Sequence, residues 1–290
     1  MDIFELLDNR FNLKKQVDEL NSMLFDEQIY HFGPYCYYSF GQIFDEVLFR
    51  EWQYSMGRTP IFDILSELNL LSNRDESPVK KLNTETEIYS SFQLDLNFFA
   101  YGSRFQNRLT QDCVLTRKSF FKEITNKLKY IFDKGVIKPI KHPMEDYYMI
   151  VPCDEKVQTV AENSDIDTAF LLFEYTSPLI KDNVKEKRRI LKLLANKYEP
   201  IIKTYIAKSK SGLIYDIFDD LSAIFNNFEI RHANMDSTIS KNYKPNLEHY
   251  CQKDWIELYD TSFQLILAAS MIKEYDENMA KIIDKHKQNL

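Results

Sequence analysis

Glycine is scarce in this chain of 290 residues, with six in all where a usual proportion near 7% would give about twenty. They stand at Gly33, Gly41, Gly57, Gly102, Gly135 and Gly212, and no two are close neighbours. A Walker loop and a dinucleotide fingerprint both need glycines clustered within one turn so that the backbone can wrap a phosphate, so both are excluded. The four cysteines, Cys36, Cys113, Cys153 and Cys251, are far apart. They lack the paired spacing of a zinc knuckle or a redox motif, and reduced, partly buried thiols are expected. Basic excess is missing too: 37 Lys and Arg against 44 Asp and Glu give a net charge of −7, which argues against a globally basic nucleic-acid coat. No run approaches the roughly 20 apolar residues that span a bilayer. The opening MDIFELLDNRFNLKK is acidic and amphipathic, unlike a secretory signal. These absences point to a cytoplasmic protein with no membrane partner.

Abundant instead are amphipathic helical patterns. Apolar residues recur at three- and four-residue intervals over 3–25, 40–56, 60–71, 85–110 and 117–133, the last stopping at Gly135, each with one stripe to bury. An aromatic turn, HFGPYCYY, occupies 31–38, and the polar segment 72–84 reads as a loop. Residues 136–182 contain Pro139, Pro143 and Pro152 and read as an irregular connection. Within it YYMIV at 147–151 could form a short strand, and 165–176 could be a short helix or a buried strand. From 183 onward three helices are expected, about 183–208, 213–230 and 253–285, with a polar connection at 233–252. Three single-stripe helices must pack on one another. The expected fold is therefore all-α, with an N-terminal helical domain (1–135), the irregular connection (136–182) and a C-terminal helical bundle (183–290).

The charge is uneven. Residues 183–290 hold 17 basic and 15 acidic side chains, and 183–210 alone holds nine basic against two acidic. Lys185, Lys187, Arg188 and Arg189 begin that stretch, which could be a solvated helix face or a phosphate-facing surface.

Metal chemistry finds little support. His31, His142, His232, His249 and His286 form no H-E-x-x-H or H-x-H arrangement. Asp165 and Asp167 resemble the opening of a calcium loop, but Phe170 stands where that loop requires glycine, so Asp165 is expected to cap a short element. There is no nucleophile elbow, and Asp219 and Asp220 fall on the polar side of their helix. No cofactor is implied.

One constellation can carry chemistry: FNNFEIRHANMDS at 225–237. A helix with a clean apolar stripe ends there in Arg231, His232 and Asn234. Arginine offers a fork of donors suited to phosphate oxygens, and histidine exchanges a proton near neutral pH. On RNA, the 2′-hydroxyl could attack while histidine acts as acid or base and arginine holds the developing charge. The same residues could equally finish the helix by capping its free carbonyls.

The helix order from about 183 to 285, the cluster IRHAN (230–234), and the polar loop leading into WIELYDTSFQLIL (255–267) resemble the HEPN superfamily, over roughly a third of the chain. That resemblance implies a helical bundle, commonly a homodimer, and in many members a metal-independent ribonuclease of toxin or phage-defence systems; other members are noncatalytic binding modules. The family's ribonuclease motif follows its arginine with a polar residue and, a few positions later, a histidine. Here Arg231 and His232 match the start, while Asp236, Ser237 and Thr238 stand where the second histidine would fall. Either His232 itself or His249, folding back from the loop, would serve instead. The expected function is accordingly RNA-directed toxicity or defence, as a metal-independent endoribonuclease using Arg231, His232, Asn234 and His249. The alternative is a noncatalytic helical module that binds a protein partner or a second copy of itself.

Overall fold

The computed structural model describes residues 11–26, 30–32, 35–37, 39–43, 65–66, 68, 70, 79–104, 119–209, 211–228, 230 and 249–288. The described residues are predominantly helical, as an all-α fold requires. They divide into two compact units, Met1–Cys153 and Asp154–Leu290.

In the first unit, α1 (Leu13–Phe25) is capped by Asn12, whose side chain accepts from the Lys15 amide at 3.0 Å. The expected start at residue 3 lies outside the described residues. Within the aromatic segment, β1 (Tyr30–Phe32) pairs antiparallel with β2 (Tyr35–Tyr37), and α2 (Phe40–Ile43) follows. The expected helices over 44–56 and most of 60–71 also lie outside the described residues.

Helix α3 (Glu85–Ser103) opens with a full capping box: Glu87 N donates to Thr84 Oγ1 at 3.2 Å, and Thr84 N donates to Glu87 Oε2 at 3.0 Å. Helix α4 (Ser119–Phe132) ends at Gly135, whose φ of 67° is the left-handed conformation that favours glycine after a helix. The core here is aromatic, with Phe40 5.0 Å from Phe120 and Phe25 5.5 Å from Phe98, ring centre to ring centre.

The expected irregular connection is largely regular. Its first part is a hairpin, β3 (Ile137–Lys141) antiparallel to β4 (Tyr148–Pro152), with Pro139 opposite Ile150. The prolines do not interrupt it, because Pro139 stands at a pair whose amides point away from the partner strand. Two side chains of α3, one turn apart, occupy the outer edge of β4. Tyr148 N donates to Asn97 Oδ1 at 2.5 Å, Asn97 Nδ2 donates to Tyr148 O at 2.7 Å, and Ile150 N donates to Gln93 Oε1 at 3.1 Å.

The second part belongs to the C-terminal unit as α5 (Glu155–Glu162) and α6 (Ile166–Tyr175), followed by a short 3-10 turn at Pro178–Ile180. Residues 165–176 are helix and not strand: Asp165 caps α6 by accepting from Thr168 N at 3.0 Å, and Leu171, Leu172 and Tyr175 are buried at helical spacing. The main boundary thus falls at 153–154, inside the stretch expected to be a linker, because these elements complete two different cores.

Helices α7 (Val184–Lys208), α8 (Leu213–Asn227) and α9 (Gln252–Gln288) follow, close to the expected spans. They bury Ile190, Leu194, Phe218, Phe225 and Ile266 in one apolar core. Tyr205 stacks on Phe218 at 4.4 Å and Tyr175 on Phe263 at 4.2 Å. Helix α9 is roughly 55 Å long at 1.5 Å per residue, yet its last fully buried side chain is Ala269. No described helix is long and apolar enough to cross a membrane.

Candidate functional site

Of the elements that flank the expected RNA-directed residues in the chain, α8 ends at Asn227 and α9 begins at Gln252. Asn183 caps α7 by accepting from Glu186 N at 3.1 Å, and Gln252 Nε2, opening α9, donates to Asp182 O at 2.8 Å. That bond ties the two N-termini together. After α8, Phe228 and Ile230 are buried. On the far side of the connecting segment, Tyr250 lies 6.2 Å from the Phe228 ring and 5.2 Å from Trp255, which is 5.5 Å from buried Tyr259. This row of rings brings Phe228 and Tyr250, far apart in the chain, together. Arg231, His232 and Asn234 lie outside the described residues. His249 is described: it is exposed, next to the Tyr250 anchor.

The four basic residues in the first turns of α7, Lys185, Lys187, Arg188 and Arg189, do not share one face. Lys185 is exposed and Arg188 half-buried. Lys187 is turned inward, a correction to its expected place on a phosphate-facing surface. Its ammonium donates to Asp260 Oδ1 at 2.5 Å and sits 4.7 Å from the centre of the Tyr175 ring. The reason is periodicity: position 187 falls in the row of Leu191, Leu194 and Tyr198, all buried. Arg189 is exposed but held by two carboxylates, through Nε to Glu186 at 2.7 Å and Nη2 to Glu174 at 2.5 Å. Its charge is thereby largely offset.

Asp260, which no spacing in the sequence singles out, accepts from both Lys187 and the Tyr175 hydroxyl, the latter at 2.9 Å. Burial, reinforced by the Asp260 carboxylate, pushes the Tyr175 hydroxyl far above its ordinary range. Tyr175 is therefore a fixed proton donor and not a titrating base. The group locks α6, α7 and α9 together.

A second polar feature also escaped the sequence reading. A cleft of about 250 Å³ lies between the α5–α6 junction, α7 and α9. There Lys197 donates to Asp165 at 2.7 Å, and the Tyr198 and Ser270 hydroxyls are 2.5 Å apart. The Lys197 bond, with the cap to Thr168, holds the Asp165 carboxyl well below its usual range. Lysines and glutamates alternate around the cleft, so it favours neither sign of ligand. Asp219 and Asp220 are solvent-exposed on α8. Cys153 and Cys251 are free thiols and are exposed, not partly buried as expected. Among the described residues no three His, Cys, Asp or Glu side chains group as metal ligands would.

No family model, no curated protein and no solved structure matches the chain.

Proposed function

We propose that the C-terminal unit is an RNA-directed, HEPN-like module of a cytoplasmic toxin or phage-defence protein, and that it cleaves RNA without a metal. The observation that carries this reading is the clamp of Phe228 against Tyr250 at 6.2 Å. Phe228 and Tyr250 are ring neighbours although they lie far apart in the chain. In sequence, Arg231 and His232 follow the first of these rings and His249 precedes the second, and in this reading the two histidines serve in place of the motif's missing second histidine. In this scheme one imidazole takes the proton of the RNA 2′-hydroxyl as its oxygen attacks the adjacent phosphorus. The other protonates the departing 5′-oxygen, and Arg231 holds the charge on the phosphoryl oxygens. The products are a 2′,3′-cyclic phosphate end and a 5′-hydroxyl end. Asn234 would hold the phosphate or sugar, and Lys185 would attract the backbone.

Purified protein incubated with bulk tRNA and mRNA in EDTA tests this reading. Wild type should cleave, and Arg231→Ala, His232→Ala and His249→Ala should each lose about a hundredfold or more in rate. Equal cleavage by all four proteins, or none by wild type, overturns it. A noncatalytic dimerising module is the second reading, favoured by the apolar face of α9.

A further inference from the structure

The polar cleft of the C-terminal unit is graded in burial along one wall. Helix α9 lines it with Ser270, Glu274, Glu277 and Lys281, which share one face at about 100° per residue. Exposure rises along this row: Ser270 and Glu274 are half-buried, Glu277 and Lys281 exposed. At the inner end stands Tyr198, a buried side chain of α7 whose hydroxyl is 2.5 Å from Ser270 Oγ. Ser270 Oγ donates its own proton to Ile266 O at 2.9 Å, so Tyr198 is the donor between the two hydroxyls. The Tyr198 oxygen keeps a lone pair to which no described group donates.

Most of the charge around the cleft is already paired. Lys197 holds Asp165 at 2.7 Å, and Lys273 holds Glu277 at 3.3 Å. Among the described residues, neither Glu274 nor Lys281 has a hydrogen-bond or ion-pair partner. These two have opposite signs and the same face, yet they stand seven residues and about 10 Å apart along the axis, beyond the spacing at which charges on a helix pair. A lone cation in the cleft would be repelled by Lys273 and Lys281, and a lone anion by Glu274 and Glu277. A molecule with one charge of each sign, at opposite ends of a short chain, satisfies both unpaired groups at once. The volume, about 250 Å³, lies under the roughly 300–1,000 Å³ of sites for drug-sized ligands and keeps that chain short. We infer that the cleft binds a small linear zwitterion, its ammonium inward on Glu274 and the Tyr198 oxygen, and its carboxylate outward on Lys281. None of these residues belongs to the proposed RNA site, so the two readings stand or fall separately.

Isothermal titration calorimetry of the full chain with ε-aminocaproate, caproate and hexylamine is the test, with circular dichroism confirming that each variant stays helical. The zwitterion should saturate one site, and each singly charged probe should bind at least about tenfold more weakly, the effect of about 1.4 kcal/mol. Glu274→Gln and Lys281→Gln should each weaken ε-aminocaproate about tenfold. Tyr198→Phe keeps the ring, removes only the acceptor and should weaken it severalfold. Lys253→Gln, at an exposed lysine near the start of the same helix, should bind as wild type does. No saturable binding of ε-aminocaproate, equal binding of caproate or hexylamine, or undiminished binding by Glu274→Gln or Lys281→Gln would each overturn the inference.

Discussion

Lys187 and Asp95 show how far a residue's role departs from its type. Lys187 belongs by composition to a basic cluster, but by register to the buried row of α7, and it spends its charge on Asp260 and Tyr175. Lys187→Ala should therefore lower stability by about 1–3 kcal/mol, the range for stranding a hydrogen-bonded group. In a filter-binding assay its RNA retention should match wild type, whereas Lys185→Ala should weaken retention with an unchanged melting temperature. Counting intervals from Leu191 would have revealed the inward position, but nothing in the spacing named Asp260 as its partner.

Asp95 in the N-terminal unit is fully buried, with its carboxyl oxygens 3.1 Å from the side-chain amide of Asn21 and Ser91 nearby. Burial raises its pKa well above the usual carboxylate range. The Asn21 side-chain NH2 donates to the Asp95 carboxyl, and the Asn21 oxygen accepts from Ser91 Oγ. The sign follows. The unfolded chain loses this proton near pH 4 while the folded chain keeps it, so the group costs stability progressively as pH rises through that window. Asp95→Asn should raise the melting temperature at pH 7 by a few degrees, with the gain fading as the pH is lowered towards 4 in a calorimetric series.

At the scale of elements, helices with one apolar stripe were readable from periodicity alone, and α7, α8 and α9 lie close to their expected spans. The stretch 136–182 was not readable in the same way. Its strands are five residues each and its two helices eight and ten, too short for a period to stand out, and its prolines mimic a linker. Local chemistry was the better guide: Asp165 does cap a helix, and Gly135 does end one.

The capping box of α3 gives a sharper expectation. Lys80, 2.7 Å away, together with the amides of Asn83 and Thr84, draws the Glu87 carboxyl down to about 2. This lowered value stabilises the fold above the ordinary glutamate range, and the contribution is lost as pH falls from about 4.5 through 2. Thr84→Ala should cost about 1 kcal/mol, and Glu87→Gln should flatten the acid limb of the stability curve between those limits.

For the whole molecule, the apolar core of the C-terminal unit is built entirely from residues after 154. A polypeptide of residues 154–290 should therefore fold alone, with a helical circular-dichroism spectrum and one cooperative thermal transition; a broad, non-cooperative melt would show that the core needs the first unit. Most of the architecture was foreseeable because burial obeys short-range periodicity. The chemistry was less so. The polar lock joins residues as far apart in the chain as Tyr175 and Asp260, a pairing that no interval along the sequence encodes.

The small sheet β3–β4 has a consequence for the protein in a crowded cell. A pair of strands standing alone offers two rails along which a foreign β-segment could zip. One rail is filled by the amides of Gln93 and Asn97; the other carries Pro139, which has no proton to give at the position where an incoming strand would look for one. Growth into a ribbon shared between molecules is stopped in both directions, at the cost of two side chains and a ring.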